Sequence, residues 1–365
     1  MPSTRTAPLT CLALLYIAFC APAGAQQRAA APAPEEHDYI VHDFHFRSGE
    51  TLPELRLHYM TFGLPVMDRS GRVVNAVLIL HGTGGSGRQF LQPQFASVLF
   101  GPGQLLDVTR YYVILPDNIG HGKSSKPSDG MHAHFPSYDY DDMVAAQHEL
   151  LDKGLHVNHL RLVMGTSMGC MHSWVWAETY PQFMDAVMPL ACLPVQIVGR
   201  NRISRKMIMD GIRNDPDWKN GDYTAEPRAG IRTAIDLLLI LGSAPLLMQA
   251  NYPTPDAADK FLEEYTARAS ATTDANDMLY AINASRNYDP SPKLETIVAP
   301  VMFVNSADDF INPPELGIAE KEIKRVKNGK FVLIPVSSQT HGHSTHTWAA
   351  VWQQYLKELL ESSQH

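Results

Sequence analysis

The sequence predicts an α/β protein: a mainly parallel central sheet flanked by helices, with a helical cap inserted over one edge. Three observations predict it. Eight short, apolar, β-rich runs recur along the chain, at 39–46, 55–62, 76–81, 111–115, 160–164, 186–191, 301–305 and 331–334. Helical patterns fall between the later runs, and such alternation implies parallel strands covered on both faces. The run at 160–164 leads directly into Gly165-Thr166-Ser167-Met168-Gly169 and then a helix-like stretch, so a strand turns sharply into a helix there.

Each element has its own signal. Met143, Val144, Leu150 and Leu151 ahead of Gly154 place a helix before the 160–164 strand, and Trp348, Val351, Trp352, Tyr355 and Leu359 place a terminal one. From Leu193 to about Ile297 the strand pattern stops and helical patterns take over, with apolar runs at 237–241 and 246–248. We read 195–295 as a helical cap between two parts of one core, 37–194 and 296–365. Such a cap would lie over the carboxyl edge of the sheet, where ligands bind in open α/β folds. Met207, Met209, Leu246 and Met248 are candidates to line an acyl pocket, although a Met and Leu stripe at helical spacing is more often core. Phe90, Phe95, Tyr138, Trp218 and Tyr252 are aromatic candidates for the same pocket.

The N-terminus separates itself by composition. Arg5, an apolar run from Leu9 to Ala21, and Ala23-Gly24-Ala25 before Gln26 follow the charged, apolar, small-residue order of a secretory leader. The run is too short to span a bilayer, which takes roughly 20 apolar residues. Cys20 raises lipoprotein processing, but Phe19 stands before it where a small residue is expected. We therefore expect residues 1–25 to be a cleaved signal peptide, 26–36 an Ala/Pro-rich linker, and the protein to be periplasmic or secreted with no membrane span after cleavage. The formal net charge of −8 and the lack of any long basic run argue against nucleic acid as a partner. Of the four cysteines, Cys11 and Cys20 leave with the leader. Cys170 and Cys192 read as two buried thiols at one edge of the sheet, although an exported protein could oxidise them.

Gly165–Gly169 reads as a nucleophile elbow. Its tight turn strains the central residue and leaves no room for side chains two positions before and after it, so glycine stands at both. Ser167 Oγ would then project clear of the backbone, with the following N–H and the helix dipole aimed at any oxyanion that forms. Such a serine needs a base and an orienting acid later in the chain, each after its own strand. The 301–305 run ends in a turn with Asp308 and Asp309, and the 331–334 run is followed by Thr340-His341-Gly342-His343-Ser344.

These residues together resemble the α/β-hydrolase superfamily, and within it the branch of the homoserine O-acetyltransferases. The resemblance rests on Gly165–Gly169, on Asp309 four residues before Pro313, on Gly342-His343, and on the lid-like segment from Asn214-Asp215-Pro216-Asp217-Trp218 to Gly221-Asp222-Tyr223. It implies an α/β-hydrolase fold with Ser167 as nucleophile, His343 as general base and Asp309, rather than Asp308, as its partner. Met168 N–H would be one oxyanion donor. Thr83 N–H, in the glycine-rich loop His81 to Gly87, would be the other. His341, His343 and His346 also look like a metal tract, but the spacing in a Gly/Ser/Thr loop reads as a catalytic histidine with companions, so we expect no metal and no cofactor. His81 and His121 read as residues that pack their loops.

Thr166, Cys170 and Gly82-Thr83-Gly84 depart from the pattern typical of the acetyltransferases, and Asp117 to Ser125 looks like the loop of ordinary hydrolases of the superfamily. An exported enzyme would also lack cytoplasmic acetyl-CoA. The sequence thus ranks an exported serine hydrolase of carboxylic esters first, with lactones and amides beside them. An acyltransferase of the homoserine O-acetyltransferase type comes second and a non-catalytic binding protein third. The expected partner is a small-molecule ester or acyl compound, and a homodimer through the cap would fit.

Overall fold

The computed structural model describes residues 33–364; the expected leader lies outside the described residues, as does the linker up to residue 32. The eight expected strands are present: β1 (Glu35–His45), β2 (Thr51–Phe62), β3 (Ala76–Leu80), β4 (Tyr112–Pro116), β5 (Leu162–Thr166), β6 (Val187–Leu190), β7 (Val301–Ser306) and β8 (Gly329–Ile334). They form one sheet in the order β1-β2-β4-β3-β5-β6-β7-β8. The first two strands run antiparallel to their neighbours, and β3 through β8 are parallel to one another. Glu35 and Glu36, read as linker, belong to β1 instead. Their partners are Thr61 and Met60 of β2, and Glu36 also binds the Lys123 ammonium at 2.7 Å.

The parallel strands are short and apolar because both of their faces are covered. Alternate residues of β3 go to opposite sides: Leu78 and Leu80 join Met143, Trp174 and Phe303 on one face, while Val77 and Ile79 join Phe95, Met302 and Trp352 on the other. The helices that cover these faces are α1 (Pro93–Leu99), α2 (Tyr140–Glu149), α3 (Met168–Thr179) and, following the insertion, α9 (Ile318–Glu322) and α10 (Ala349–Ser362). Trp352 is fully buried, and its truncation to alanine removes a side chain whose loss costs about 3–5 kcal/mol at such sites.

The stretch between β6 and β7 holds α4 (Gly199–Arg213), α5 (Arg228–Gly242), α6 (Pro245–Asn251), α7 (Pro255–Ser270) and α8 (Ala275–Asn283), and no strand. It has its own apolar cluster, with Ile208, Met209 and Ile212 of α4 against Ile231 and Ile235 of α5 and Leu279 of α8. The lid-like segment pins these helices together. Asp215 accepts from Gly230 N–H at 2.7 Å, Trp218 Nε1 donates to Asn276 Oδ1 at 3.0 Å, and Tyr223 Oη accepts from Asn276 N–H at 3.1 Å. Among the described residues no single helix is long and apolar enough to cross a membrane.

The reading of Cys170 and Cys192 as free thiols is corrected: they form a disulfide with 5.8 Å between their Cα atoms. Cys170 lies in the first turn of α3 and Cys192 follows β6, whose neighbour is β5, so the chain delivers both to one edge. The sequence placed them on that edge but carries no distance. Closing a loop across 22 residues contributes roughly 3 kcal/mol in the chain-entropy account.

Candidate active site

The turn from β5 into α3 is as tight as its glycines suggest. Ser167 sits at φ 54° and ψ −109°, a region that side-chain-bearing residues rarely occupy. A Cβ on Gly165 would lie 2.0 Å from the Gly169 carbonyl oxygen, and one on Gly169 2.0 Å from that of Leu80. The turn is held from outside by Ser167 N–H donating to the Leu190 carbonyl of β6 at 2.9 Å.

The structure brings the three distant residues of the elbow scheme together. Ser167 Oγ donates to His343 Nε2 at 2.8 Å, and His343 Nδ1 donates to Asp309 Oδ2 at 2.8 Å. Asp309 is buried in the turn after β7 and accepts three further bonds. These come from Ile311 N–H at 2.8 Å and Asn312 N–H at 3.1 Å on Oδ1, and from Asn312 Nδ2 at 3.0 Å on Oδ2. Burial works against its charge, but the charge and hydrogen bond of His343 and the bonds from Asn312 outweigh burial and hold the carboxyl below its ordinary value. Asp308 faces elsewhere, accepting from Gly342 N–H at 3.1 Å and from Ser306 Oγ. Asn312 is a residue that sequence reasoning missed. It also donates Nδ2 to the Ala191 carbonyl at 3.1 Å, tying the acid turn to the loop after β6, and its only signal was its place three residues beyond Asp309.

The loop after β3 approaches the elbow closely, since a Cβ on Gly82 would meet Ser167 Cβ at 3.4 Å. His81 does more here than pack the loop. Its Nδ1–H donates to the Gly82 carbonyl at 2.8 Å, and Gly85 N–H donates to the same oxygen at 3.0 Å. In a trans peptide the carbonyl and the next N–H point in opposite directions, so fixing Gly82 O fixes the direction of Thr83 N–H. His81 Nε2 is then the acceptor, taking Asn118 N–H at 3.1 Å. The rings of His81 and His121 lie 5.1 Å apart, and His121 approaches the Ile119 and Thr83 carbonyls at 2.9 Å each. Burial pushes both imidazoles below the ordinary histidine value, His81 well below it, while at His121 the two carbonyls oppose that push. Among the described residues neither Thr83 N–H nor Met168 N–H donates to a protein acceptor.

The other two histidines of the 341–346 tract turn away from a common point. His341 stacks on Trp348 with ring centroids 3.8 Å apart, and His346 lies edge-on to His343 at 5.2 Å. Burial and the nearby His343 push His346 down to about 3, so it stays neutral. No group of three metal-ligating side chains converges among the described residues.

Ser167 and His343 open into a cavity of about 1430 Å³, whose far wall is built by the insertion. The apolar lining on that wall includes Ile208, Leu238, Leu241 and Pro245, and none of the methionines singled out in the sequence. Met209 is in the insertion core, while Met207 and Leu246 are exposed, because helix phase sends the neighbouring positions inward. Nor do the aromatic candidates line it: Phe90 and Phe95 are core residues under the sheet, and Tyr252 stacks on Phe261 at 4.1 Å.

A strained serine on a strand-to-helix turn, relayed to a histidine and a buried aspartate at the carboxyl edge of a parallel sheet, defines a class of serine-nucleophile α/β enzymes. The model of the alpha/beta hydrolase fold family matches residues 75–350. The chain belongs to the α/β-hydrolase family, in the branch that resembles the homoserine O-acetyltransferases. It is 30% identical over 282 residues to a probable acyltransferase of Methanothermobacter thermautotrophicus, covering 76% of this chain and 84% of that one. It is likewise 30% identical over 335 residues to a homoserine O-acetyltransferase of Pelobacter propionicus, covering 81% and 87%. In structure it resembles an acetylester hydrolase from Corynebacterium glutamicum, with a TM-score of 0.78 at 19% identity over 90% of this chain and 96% of that one.

Replacing Asp309 by Asn should lower kcat by on the order of 10⁴, since the wrong histidine tautomer is then favoured. Its stability effect has a defined sign. The folded value of Asp309 lies below the unfolded one, so the stability it lends is present above the unfolded value and lost as pH falls through the folded one. Denaturation of wild type and Asp309→Asn across pH should therefore show a gap that is full at neutral pH and closes in acid.

Proposed function

We propose that the protein is an acyl-transferring serine enzyme that works through an acyl-Ser167 intermediate and hands the acyl group to a hydroxyl-bearing acceptor, in the manner of the homoserine O-acetyltransferase branch. The observation that carries the reading is the relay of two 2.8 Å hydrogen bonds from Ser167 through His343 to a buried, charge-holding Asp309. Ser167 Oγ attacks the acyl carbon of an ester or thioester while its proton passes to His343 Nε2. The C–O⁻ that forms is received by Thr83 and Met168 N–H, each such donor being worth about 3 kcal/mol. His343 gives its proton to the departing alkoxide or thiolate as the bond to the acyl carbon breaks. The acceptor O–H then loses its proton to His343 as its oxygen takes the acyl carbon, and that proton returns to Ser167 Oγ. The names of the sequence relatives support transfer over the hydrolysis that the sequence alone ranked first.

Water as acceptor, which makes the same site an esterase, is the second reading. The Cys170–Cys192 disulfide favours it, because such bridges persist in oxidising compartments, where a cytoplasmic thioester donor is not at hand. Export belongs to this reading. N-terminal sequencing of protein recovered outside the cytoplasm should read from Gln26 if the leader is cut after Ala25; recovery from the cytoplasm with Met1 or Pro2 at the N-terminus would contradict it.

Partition of the acyl-enzyme separates the two readings. With p-nitrophenyl acetate as donor and a panel of alcohols and hydroxy amino acids present, transfer predicts acetylated acceptor as the main product, whereas hydrolysis predicts acetate whatever the acceptor. Ser167→Ala retaining wild-type turnover would contradict both.

A further inference from the structure

Helix α4 presents a polar face to the cavity that holds Ser167. Asn201, Ser204, Arg205 and Ile208 line it, which is the i, i+3, i+4, i+7 spacing of one helical face. Further along the same side of the helix, Ile208, Met209 and Ile212 enter the apolar cluster of the insertion, so the face passes from apolar core to polar cavity wall at Arg205. Arg205 stands out on that face. It is only 9% exposed, yet among the described residues no carboxylate lies within 4.0 Å of its guanidinium. The one acidic residue of α4, Asp210, is spent on Lys206 at the outer surface. Arg205 has five N–H donors. Nε bonds Asn201 Oδ1 at 3.0 Å, Nη1 reaches the Ile282 carbonyl at 3.4 Å, and the buried Tyr140 hydroxyl lies beside the guanidinium as a neutral neighbour; no carboxylate meets the fork among the described residues.

Positive charge accumulates around this position. Arg202 feels burial together with the charges of Arg286, Arg205 and Arg213, which push it below the ordinary arginine value, and its Nη1 is buried without a partner. The acidic groups facing the cavity do not answer it. Asp309 is held by His343, Asp308 by Gly342 N–H and Ser306, and Glu315 is exposed at the mouth. Arg200 is engaged with Phe310, its guanidinium 3.9 Å from the ring centroid, and Arg88 is paired with Glu36. A guanidinium taken out of water without a counter-ion weakens the fold, so its retention in the wall of a cavity points to a use there.

We propose that Arg205 is a carboxylate-recognition residue: the substrate that enters this cavity carries a carboxylate, which takes the open fork of Arg205 while its reacting end reaches Ser167. This rests on the acyl-serine reading above. A planar guanidinium matches a planar carboxylate with two parallel N–H···O bonds, and it does so most strongly where water is excluded. A purely hydrocarbon substrate would instead seal the unpaired charge beneath it. The apolar wall formed by Ile208, Leu238 and Leu241 leaves recognition of the polar end to Arg205 and Asn201.

The test measures inhibition of p-nitrophenyl acetate turnover by linear acids from butanoate to octanoate and by their primary amides. The proposal predicts an acid that inhibits at least about tenfold more tightly than its own amide, a charge-assisted gain. That ratio falls toward one in Arg205→Met and keeps an intermediate value in Arg205→Lys, which retains charge without the fork. Equal inhibition by acid and amide in the wild type overturns the proposal. So does a ratio that survives in Arg205→Met, and so does inorganic phosphate inhibiting more tightly than any carboxylate. Should Arg205→Met fail to fold, the wild-type ratio and Arg205→Lys decide. Failure of the acyl-serine reading looks different, because Ser167→Ala would then turn over the ester as the wild type does, whatever the ratio.

Discussion

The backbone of Ser167 is the constraint on which the rest of the structure depends. A non-glycine residue at φ 54° and ψ −109° costs about 1–3 kcal/mol, and it persists only where its surroundings allow nothing else. Here β5 is locked between β3 and β6, Gly169 lies against the Leu80 carbonyl, and Gly165 lies against Gly169. No larger residue fits at either glycine. The same close approach that forces the strain also brings the loop after β3 against the serine, so Ser167 and the glycine-rich loop are positioned by one packing contact.

Around that point the fold supplies fixed dipoles instead of flexible groups. His81, buried and neutral, sets the direction of the Gly82–Thr83 peptide and is itself oriented by Asn118, which Gln147 holds from α2. Gln147 in turn accepts from Trp176 Nε1 of α3 at 2.7 Å. The helix before β5 and the helix after it are thereby joined to the glycine-rich loop after β3 by a chain of hydrogen bonds. On the other side, Asn312 and the Cys170–Cys192 disulfide tie the acid turn and the elbow to the segment that leads into the insertion. Each tie reduces the reorganisation that charge development at Ser167 would otherwise require.

The core was legible in the sequence because its signals are local. Eight apolar runs became eight strands with ends shifted by a few residues, and the glycine spacing around Ser167 named the elbow. The Ser, Asp, His order identified partners that lie far apart in the chain yet meet at 2.8 Å. What was not legible depends on distance or on helix phase. Cys170 and Cys192 could be put on one edge of the sheet but not within bonding reach. The methionines of α4 were the right helix at the wrong positions: Met207 is exposed and Met209 is in the insertion core, while Arg205 and Ile208 reach the cavity. His81 and Asn312 act through bonds to backbone carbonyls, which leave no mark in residue type. The choice between water and another acceptor depends likewise on the shape of the cavity, which residue order does not carry.

The most direct measurement of the central claim, a strained serine activated by His343 and Asp309, is stoichiometric labelling with a fluorophosphonate followed by peptide mapping. The account predicts one label per chain, on the peptide that contains Ser167, with the rate of labelling collapsing in His343→Ala. A label on another residue, or labelling of Ser167 that proceeds at the wild-type rate without His343, would contradict it.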